Sequence, residues 1–263
     1  LDLLNLVMER QCQLVVDWMR VGFIHGVMNT DNTAISGETI DYGPCAFMDH
    51  YSPKVVFSSI DKLGRYSFAN QAPIIKWNLS RFAECLIPLI DKNEDTAIKI
   101  ATEIIDNFEK IYEVKWLNMM RDKLGLFGEN TNDKELINNL LSWMENNKAD
   151  YTNTFCYLMN IRINNSEIYN DKSFINWLDV WKKRSLMNNG SKEKQLDIMQ
   201  NVNPSVIPRN HKVEEALTSA NDDDLKVMNK LLSVLDKPYG NQKGIEEYQS
   251  PSGNKEYQTF CGT

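Results

Sequence analysis

The chain has 263 residues, 42% hydrophobic and 25% charged, enough apolar content for one large globular core or two small ones and too much for a disordered chain. Its net charge of −7 and pI near 5.1 disfavour a nucleic-acid surface, which needs clustered Lys and Arg. No run approaches the roughly 18 apolar residues of a membrane helix, so no membrane partner is expected.

The start, Leu1-Asp2-Leu3-Leu4, carries no basic n-region, so no signal peptide is read there. Leu4, Val7, Met8, Val15, Trp18 and Met19 fall on one stripe and predict an amphipathic helix over 3–20. A short apolar run, 21–24, follows. Two tiny strands are predicted over 33–36 and 38–40, a hairpin around Gly37 with Asn32 on one side and Asp41 on the other. Residues 44–73 read as loop. Beyond them the pattern is helical: 77–90, a long helix over 95–123, then 133–147, 150–164, 171–187, 192–200, 212–220 and 222–236. Gly125, Gly128, Asn188-Asn189-Gly190, Pro204 and Pro208 punctuate these stretches. The run Asp222-Asp223-Asp224 suits the start of the helix after it, where the dipole favours acids. From about 238 to 263 the chain reads as an irregular tail. The expectation is one mainly α unit over 1–263 with a small β element near its start.

The chemistry concentrates at His25-Gly-Val-Met-Asn-Thr-Asp31-Asn32 and, nine residues beyond Asn32, Asp41-Tyr-Gly43. Phosphoryl or nucleotidyl transfer from ATP asks for positioning and charge neutralisation. Magnesium takes hard oxygens, which Asn32 and Asp41 offer, and Gly43 permits unusual backbone angles in the turn. Asp31 is an acid able to accept a proton from an incoming hydroxyl. An ordinary kinase, with H-R-D-x-x-x-x-N, places its base five residues before the Asn; that position here is Val27, which takes no proton. Asp, Asn and Gly are also common turn residues, so the same stretch reads equally as turn chemistry. His25 reads as a structural histidine bonding backbone. The five cysteines, 12, 45, 85, 156 and 261, form no C-x-x-C pair, and the three histidines no H-x-x-x-H, so neither a zinc site nor a disulfide framework is expected.

The stretches GFIHGVMNTDN, TIDYGP, GRYSFANQAP and WNLSRFA, with NP…RN at 203–210 and LDKPY at 235–239, resemble the selenoprotein O (YdiU) family. The resemblance covers most of the chain and is least distinctive over 120–200. It implies a protein-kinase-like C-terminal lobe belonging to a protein adenylyltransferase, long classed as a pseudokinase. Such an enzyme binds ATP in reversed orientation and passes AMP to Ser, Thr or Tyr hydroxyls of proteins. By the same resemblance Asp31 is the base, and Asn32 and Asp41 hold Mg2+ or Mn2+. The family's nucleotide-binding N-terminal lobe has no counterpart here: no G-x-G-x-x-G and no V-A-I-K strand occurs. The isolated 263 residues are therefore expected to be inactive without that lobe. Some members carry selenocysteine near the C-terminus, which suggests a regulatory disulfide between Cys45 and Cys261.

Alternative readings are a non-catalytic helical interaction module and an ordinary γ-phosphate-transferring kinase. Arg65, Tyr66, Asn70 and Gln71 lie in one of the matching stretches, where Arg65 reads equally as a phosphate contact or as a bond from the loop to the helical core, and Trp77, Asn78 and Arg81 read as scaffold. The expected compartment is the bacterial cytoplasm, or the mitochondrion for a eukaryotic source.

Overall fold

The structure is a computed structural model that describes residues 1–161, 163–164, 166–187, 191–253 and 257–260. Helix α1 (Asp2–Val21) buries Leu4, Val7, Met8, Val15 and Met19 on one face and ends at Gly22, whose left-handed backbone turns the chain into strand β1 (Phe23–Ile24). β1 pairs antiparallel with β2 (Ala46–Phe47), Phe23 opposite Phe47 and Ile24 opposite Ala46. The ladder therefore closes the base of one loop, 25–45, which holds every candidate catalytic and metal residue.

Helix α2 (Gln71–Ile90) packs on α1 and on α3 (Glu94–Asp106), and α4 (Phe108–Lys123) returns along α1. The predicted single helix 95–123 is thus two helices. At Asn107 the backbone N–H bonds Ile104 O, three residues back, and the side chain donates to Glu103 O at 2.9 Å. An Asn that takes the i−4 carbonyl for itself competes with the helix ladder, and the chain bends there. Then follow α5 (Asp133–Asn146), α6 (Tyr151–Leu158), shorter than the predicted 150–164, α7 (Lys172–Ser185), which pairs with α5, and α8 (Lys192–Val202), which packs on α4.

One continuous apolar core runs from Leu4 in α1 to Met199 in α8. The hairpin of α9 (Asn210–Asn221) and α10 (Lys226–Leu235) has a small core of its own around Val206, Ala216, Leu231 and Val234. The acidic run 222–224 forms the turn between them, and Asp224 Oδ1 accepts from Lys226 N at the start of α10. The tail is less irregular than expected. It contains the short helix α11 (Glu246–Gln249), and Thr259 forms a parallel bridge with Ser58. Among the described residues no helix is long and apolar enough to cross a membrane.

The C-terminal segment is fastened to the base of the loop by two adjacent residues. Buried Arg209 donates from Nη1 to Asp49 Oδ1 (2.6 Å) and Asp150 Oδ2 (2.7 Å), and from Nη2 to Asp150 Oδ1 (3.1 Å) and Gln249 O (2.6 Å). Asn210 grips β2 with both ends of its amide: Phe47 N donates to Oδ1 at 3.2 Å, and Nδ2 donates to Phe47 O at 3.0 Å. The outer edge of a two-stranded sheet, otherwise open to another chain, is covered in this way.

Candidate active site

No hairpin forms around Gly37. Residues 33–40 carry no strand; the loop holds the 3-10 turn Thr30–Asn32 and a hydrogen-bonded turn that ends at Gly37. In place of strand pairing, side chains from other elements hold the segment, and over 33–40 their partners are the Ala34 carbonyl and the Thr33 and Thr39 hydroxyls. Gln11 in α1 donates to Ala34 O, and Trp18 Nε1 donates to Thr39 Oγ1 at 2.9 Å. From α2, Asn78 Nδ2 donates to Met28 O at 3.0 Å and to Thr33 Oγ1 at 2.8 Å. Gln71 donates to Phe23 O and accepts from His25 N, both at 3.0 Å. Tyr66 OH reaches Asn29 Oδ1 at 2.7 Å. Gln11, Gln71 and Asn78 are buried, and their amide NH2 groups find these partners, while Gln11 Oε1 and Asn78 Oδ1 are buried without one among the described residues.

Two contacts draw the ends of the loop together. His25 Nε2 lies 2.8 Å from Ile40 O, so it is the protonated nitrogen that donates. Nδ1 is buried without a partner among the described residues, and burial pushes the His25 pKa down. His25 is thus a neutral brace, as a backbone-bonding structural histidine should be. Beside it Gly26, at φ 88°, lies so close to Pro44 that a Cβ would sit 2.6 Å from Pro44 O; only glycine permits that approach.

The candidate residues hang from this frame. Asn32 Nδ2 donates to Val27 O at 3.2 Å, which fixes its amide and leaves Oδ1 for another partner. Val27 is itself buried, so the position of an ordinary kinase base supplies a carbonyl that holds Asn32. Asp41 follows Ile40 directly. The anchors of Asn32 and Asp41, Val27 and His25, are two residues apart, at most about 7 Å of backbone. Asp41 itself adopts the left-handed conformation, φ 53°, that was expected of Gly43. Gly43 instead donates its N–H to Asp41 Oδ1 at 3.3 Å, and a Cβ on it would press to 3.2 Å from that oxygen. Asp31 is exposed on the 3-10 turn with no hydrogen bond or ion pair among the described residues.

These oxygens fit a hard divalent cation that completes its shell with phosphates and water. Among the described residues no three His, Cys, Asp or Glu side chains gather into a site that would hold a metal unaided. Cys45 is half-buried, its thiol donates to Tyr42 O at 3.2 Å, and burial pushes its pKa up, with Asp41 adding in the same direction. Cys261 lies outside the described residues.

Sequence reasoning singled out Asp31, Asn32 and Asp41 as candidates but missed the frame that presents them. Gln11 was the available signal, a polar residue inside the apolar stripe of α1. Asn78, read as scaffold, turns out to be scaffold for the loop itself. Of the motif 65–71, Tyr66 and Gln71 join the frame, whereas the Arg65 guanidinium stacks on the rings of Trp77 and Tyr66.

The model of the family described as protein adenylyltransferase SelO matches residues 2–236. Curated relatives named protein nucleotidyltransferase YdiU are 63% identical over 265 aligned positions in Pelagibacter ubique, 49% over 266 in Nitrosococcus oceani and 50% over 266 in Alkaliphilus metalliredigens. Each alignment covers 100% of this chain, and the chain spans 55%, 54% and 54% of those relatives, about half their length. With its loop, brace and acids inside the matched stretch, this chain belongs to the protein adenylyltransferase SelO family.

Proposed function

We propose that this chain is the C-terminal catalytic lobe, kinase-like in fold, of a protein adenylyltransferase that moves AMP from ATP to Ser, Thr or Tyr hydroxyls of other proteins. The observation that carries the reading is the arrangement at Val27. The ordinary base position is a buried valine whose carbonyl orients Asn32, while the one unengaged acid of the turn, Asp31, faces solvent. Asp31 takes the proton of the acceptor hydroxyl, the hydroxyl oxygen bonds the α-phosphorus, and the bond to the β-phosphate oxygen breaks, releasing pyrophosphate. Asn32 Oδ1 and the Asp41 carboxylate would hold magnesium or manganese, which neutralises charge on the nucleotide phosphates.

The relatives' greater length and the absence of any G-x-G-x-x-G support a second lobe, outside these residues, that grips ATP. Residues 1–263 alone should then transfer little or nothing. The relatives are bacterial, and we assign the protein to the cytoplasm. A regulatory Cys45–Cys261 disulfide belongs to the same proposal. Its support is the tail: Thr259 Oγ1 donates to Pro44 O at 2.7 Å, one residue from Cys45 and two from Cys261. Peptide mapping of oxidised protein that recovers both thiols free would remove it.

The reaction is tested in the full-length protein with ATP labelled at the α- or the γ-phosphate. Label from the α-position on acceptor proteins, lost in Asp31→Ala with ATP binding retained, is the expected result. Label from the γ-position would make the protein an ordinary kinase, and full activity of Asp31→Ala would remove the base assignment.

A further inference from the structure

Between β2 and α2 the chain builds a hydrogen-bonded knob over 58–67, of which the site uses only the Tyr66 hydroxyl. Asp61 spends both carboxylate oxygens on it, accepting from Arg65 N and Tyr66 N at 2.8 Å each. Backbone bonds from Asp61 N to Ser58 O (3.1 Å), Lys62 N to Ile60 O (3.0 Å) and Ser67 N to Gly64 O (3.2 Å) close the turns. On this fixed frame Leu63 is 96% exposed and Ile60 64% exposed. Two apolar side chains are thereby held in the open beside a cation, where an apolar side chain of a partner would cover them.

Arg65 supplies the charge. Its guanidinium lies 5.0 Å from the ring centre of Trp77, itself 43% exposed, and 5.7 Å from that of Tyr66. Stacking holds it in place, yet among the described residues it meets no carboxylate. Arg81, on the same Trp77 ring at 5.3 Å, is neutralised by Glu84 at 2.5 Å. Over 52–66 the basic residues are Lys54, Lys62 and Arg65. The single acid, Asp61, is consumed by backbone, whereas the whole chain carries −7. A preorganised cation without an internal partner, in an acidic protein, is complementary to a carboxylate from outside. Its place is set by Tyr66, whose OH bonds Asn29, two residues before Asp31.

We propose that Ile60, Leu63 and Arg65, backed by Trp77, form a ledge that binds the acceptor protein through an acidic and an apolar side chain flanking the modified hydroxyl. This rests on the adenylyltransferase reading for its occupant, but its test does not need turnover. Fluorescent serine peptides flanked by Asp and Leu, or by Lys and Leu, are titrated onto full-length protein and followed by anisotropy. Wild type should favour the Asp peptide by about fivefold, the scale of a well-placed surface charge pair. Arg65→Glu should reverse the order, and Leu63→Ser should weaken both peptides, while the KM for ATP stays unchanged in each variant. Both side chains are exposed, so both variants should fold. Equal binding of the two peptides by wild type, or an unchanged order in Arg65→Glu, overturns the ledge. So does a raised ATP KM in Arg65→Glu with peptide binding unaltered, which would place Arg65 on the nucleotide. A preserved Asp preference without AMP transfer would refute the function proposed above and leave the ledge standing.

Discussion

Arg209→Met is the most informative single perturbation of the fold. Arg209 is 1% exposed and serves two carboxylates, whose side chains are 13% (Asp49) and 7% (Asp150) exposed. Met fills much of the volume but leaves both acids unpaired. Asp49 keeps Ser252 N and Oγ, at 3.1 and 3.2 Å, and Asp150 keeps Asn153 N at 2.7 Å. Gln249 O loses its bond from Arg209 and keeps the one from Asn153 Nδ2 at 3.1 Å. Removing one partner of a buried ion pair costs about 3–5 kcal/mol. For a chain of this size that is a fall in Tm of roughly 6–20 °C, at about 2–4 °C per kcal/mol. The assay is urea and thermal unfolding followed by circular dichroism. The control is Arg209→Met with Asp49→Asn and Asp150→Asn, which removes the stranded charges and should recover about half the loss. A Tm within about 2 °C of wild type for the single variant, or no recovery in the triple, would refute the view that these charges are held in place by one arginine.

Gly43→Ala places a methyl 3.2 Å from Asp41 Oδ1; a shift of a few tenths of an ångström in that carboxylate should weaken Mg2+ or Mn2+ binding about three- to tenfold by calorimetry, with stability nearly unchanged. Asn78→Leu removes the donor to Met28 O and Thr33 Oγ1. It should cost about 1–3 kcal/mol in urea unfolding and lower AMP transfer further by loosening the loop, and unchanged transfer would detach α2 from the site. Lys123 is buried against the rings of Phe155 (3.8 Å) and Tyr151 (4.9 Å), donates to Arg20 O at 2.7 Å, and has its pKa pushed well down by burial. The unfolded chain then holds that proton more tightly, so stability should rise with pH from the folded pKa toward about 10.4, by up to ~1.4 kcal/mol per unit. Lys123→Met should lack this rise in urea titrations between about pH 7 and pH 10, and parallel curves for both proteins would refute it.

How much of this was legible depended on the range of the interaction. Helices α1, α2, α5 and α7 announce themselves because their buried faces repeat every three or four residues, a local signal. The break at Asn107 does not, because the stripes of α3 and α4 are each in phase with a helix and only a side-chain bond to Glu103 separates them. The hairpin expected around Gly37 failed for the opposite reason. Gly37 is a true turn, with its N–H on Ala34 O at 3.0 Å. The segment flanking it is nonetheless held by Gln11, 23 positions away, at the Ala34 carbonyl and by Asn78, 45 positions away, at the Thr33 hydroxyl. No local pattern encodes those partners. The tail's attachment at Ser58 and Pro44 is hidden in the same way.

The long-range frame also explains why the acids of the loop were legible when its shape was not. The amides of Gln11, Gln71 and Asn78 and the imidazole of His25 bind loop backbone at Ala34, Phe23, Met28 and Ile40. Because buried donors and loop carbonyls satisfy one another on the inner side, the loop needs no strand pairing to hold its course. Asp31 and Asp41 are left exposed, with Asp41 bonded only to its own turn, and Asn32 is turned by Val27 so that its oxygen is spared. Residues that carry little of the loop's structural bonding are the ones the proposed chemistry uses, and their types stand out in the sequence. The residues that spare them are ordinary amides whose purpose appears only when the helices carrying them are packed. Val27 belongs to both groups: as a side chain it takes no proton at the usual base position, and as a carbonyl it orients the amide of Asn32.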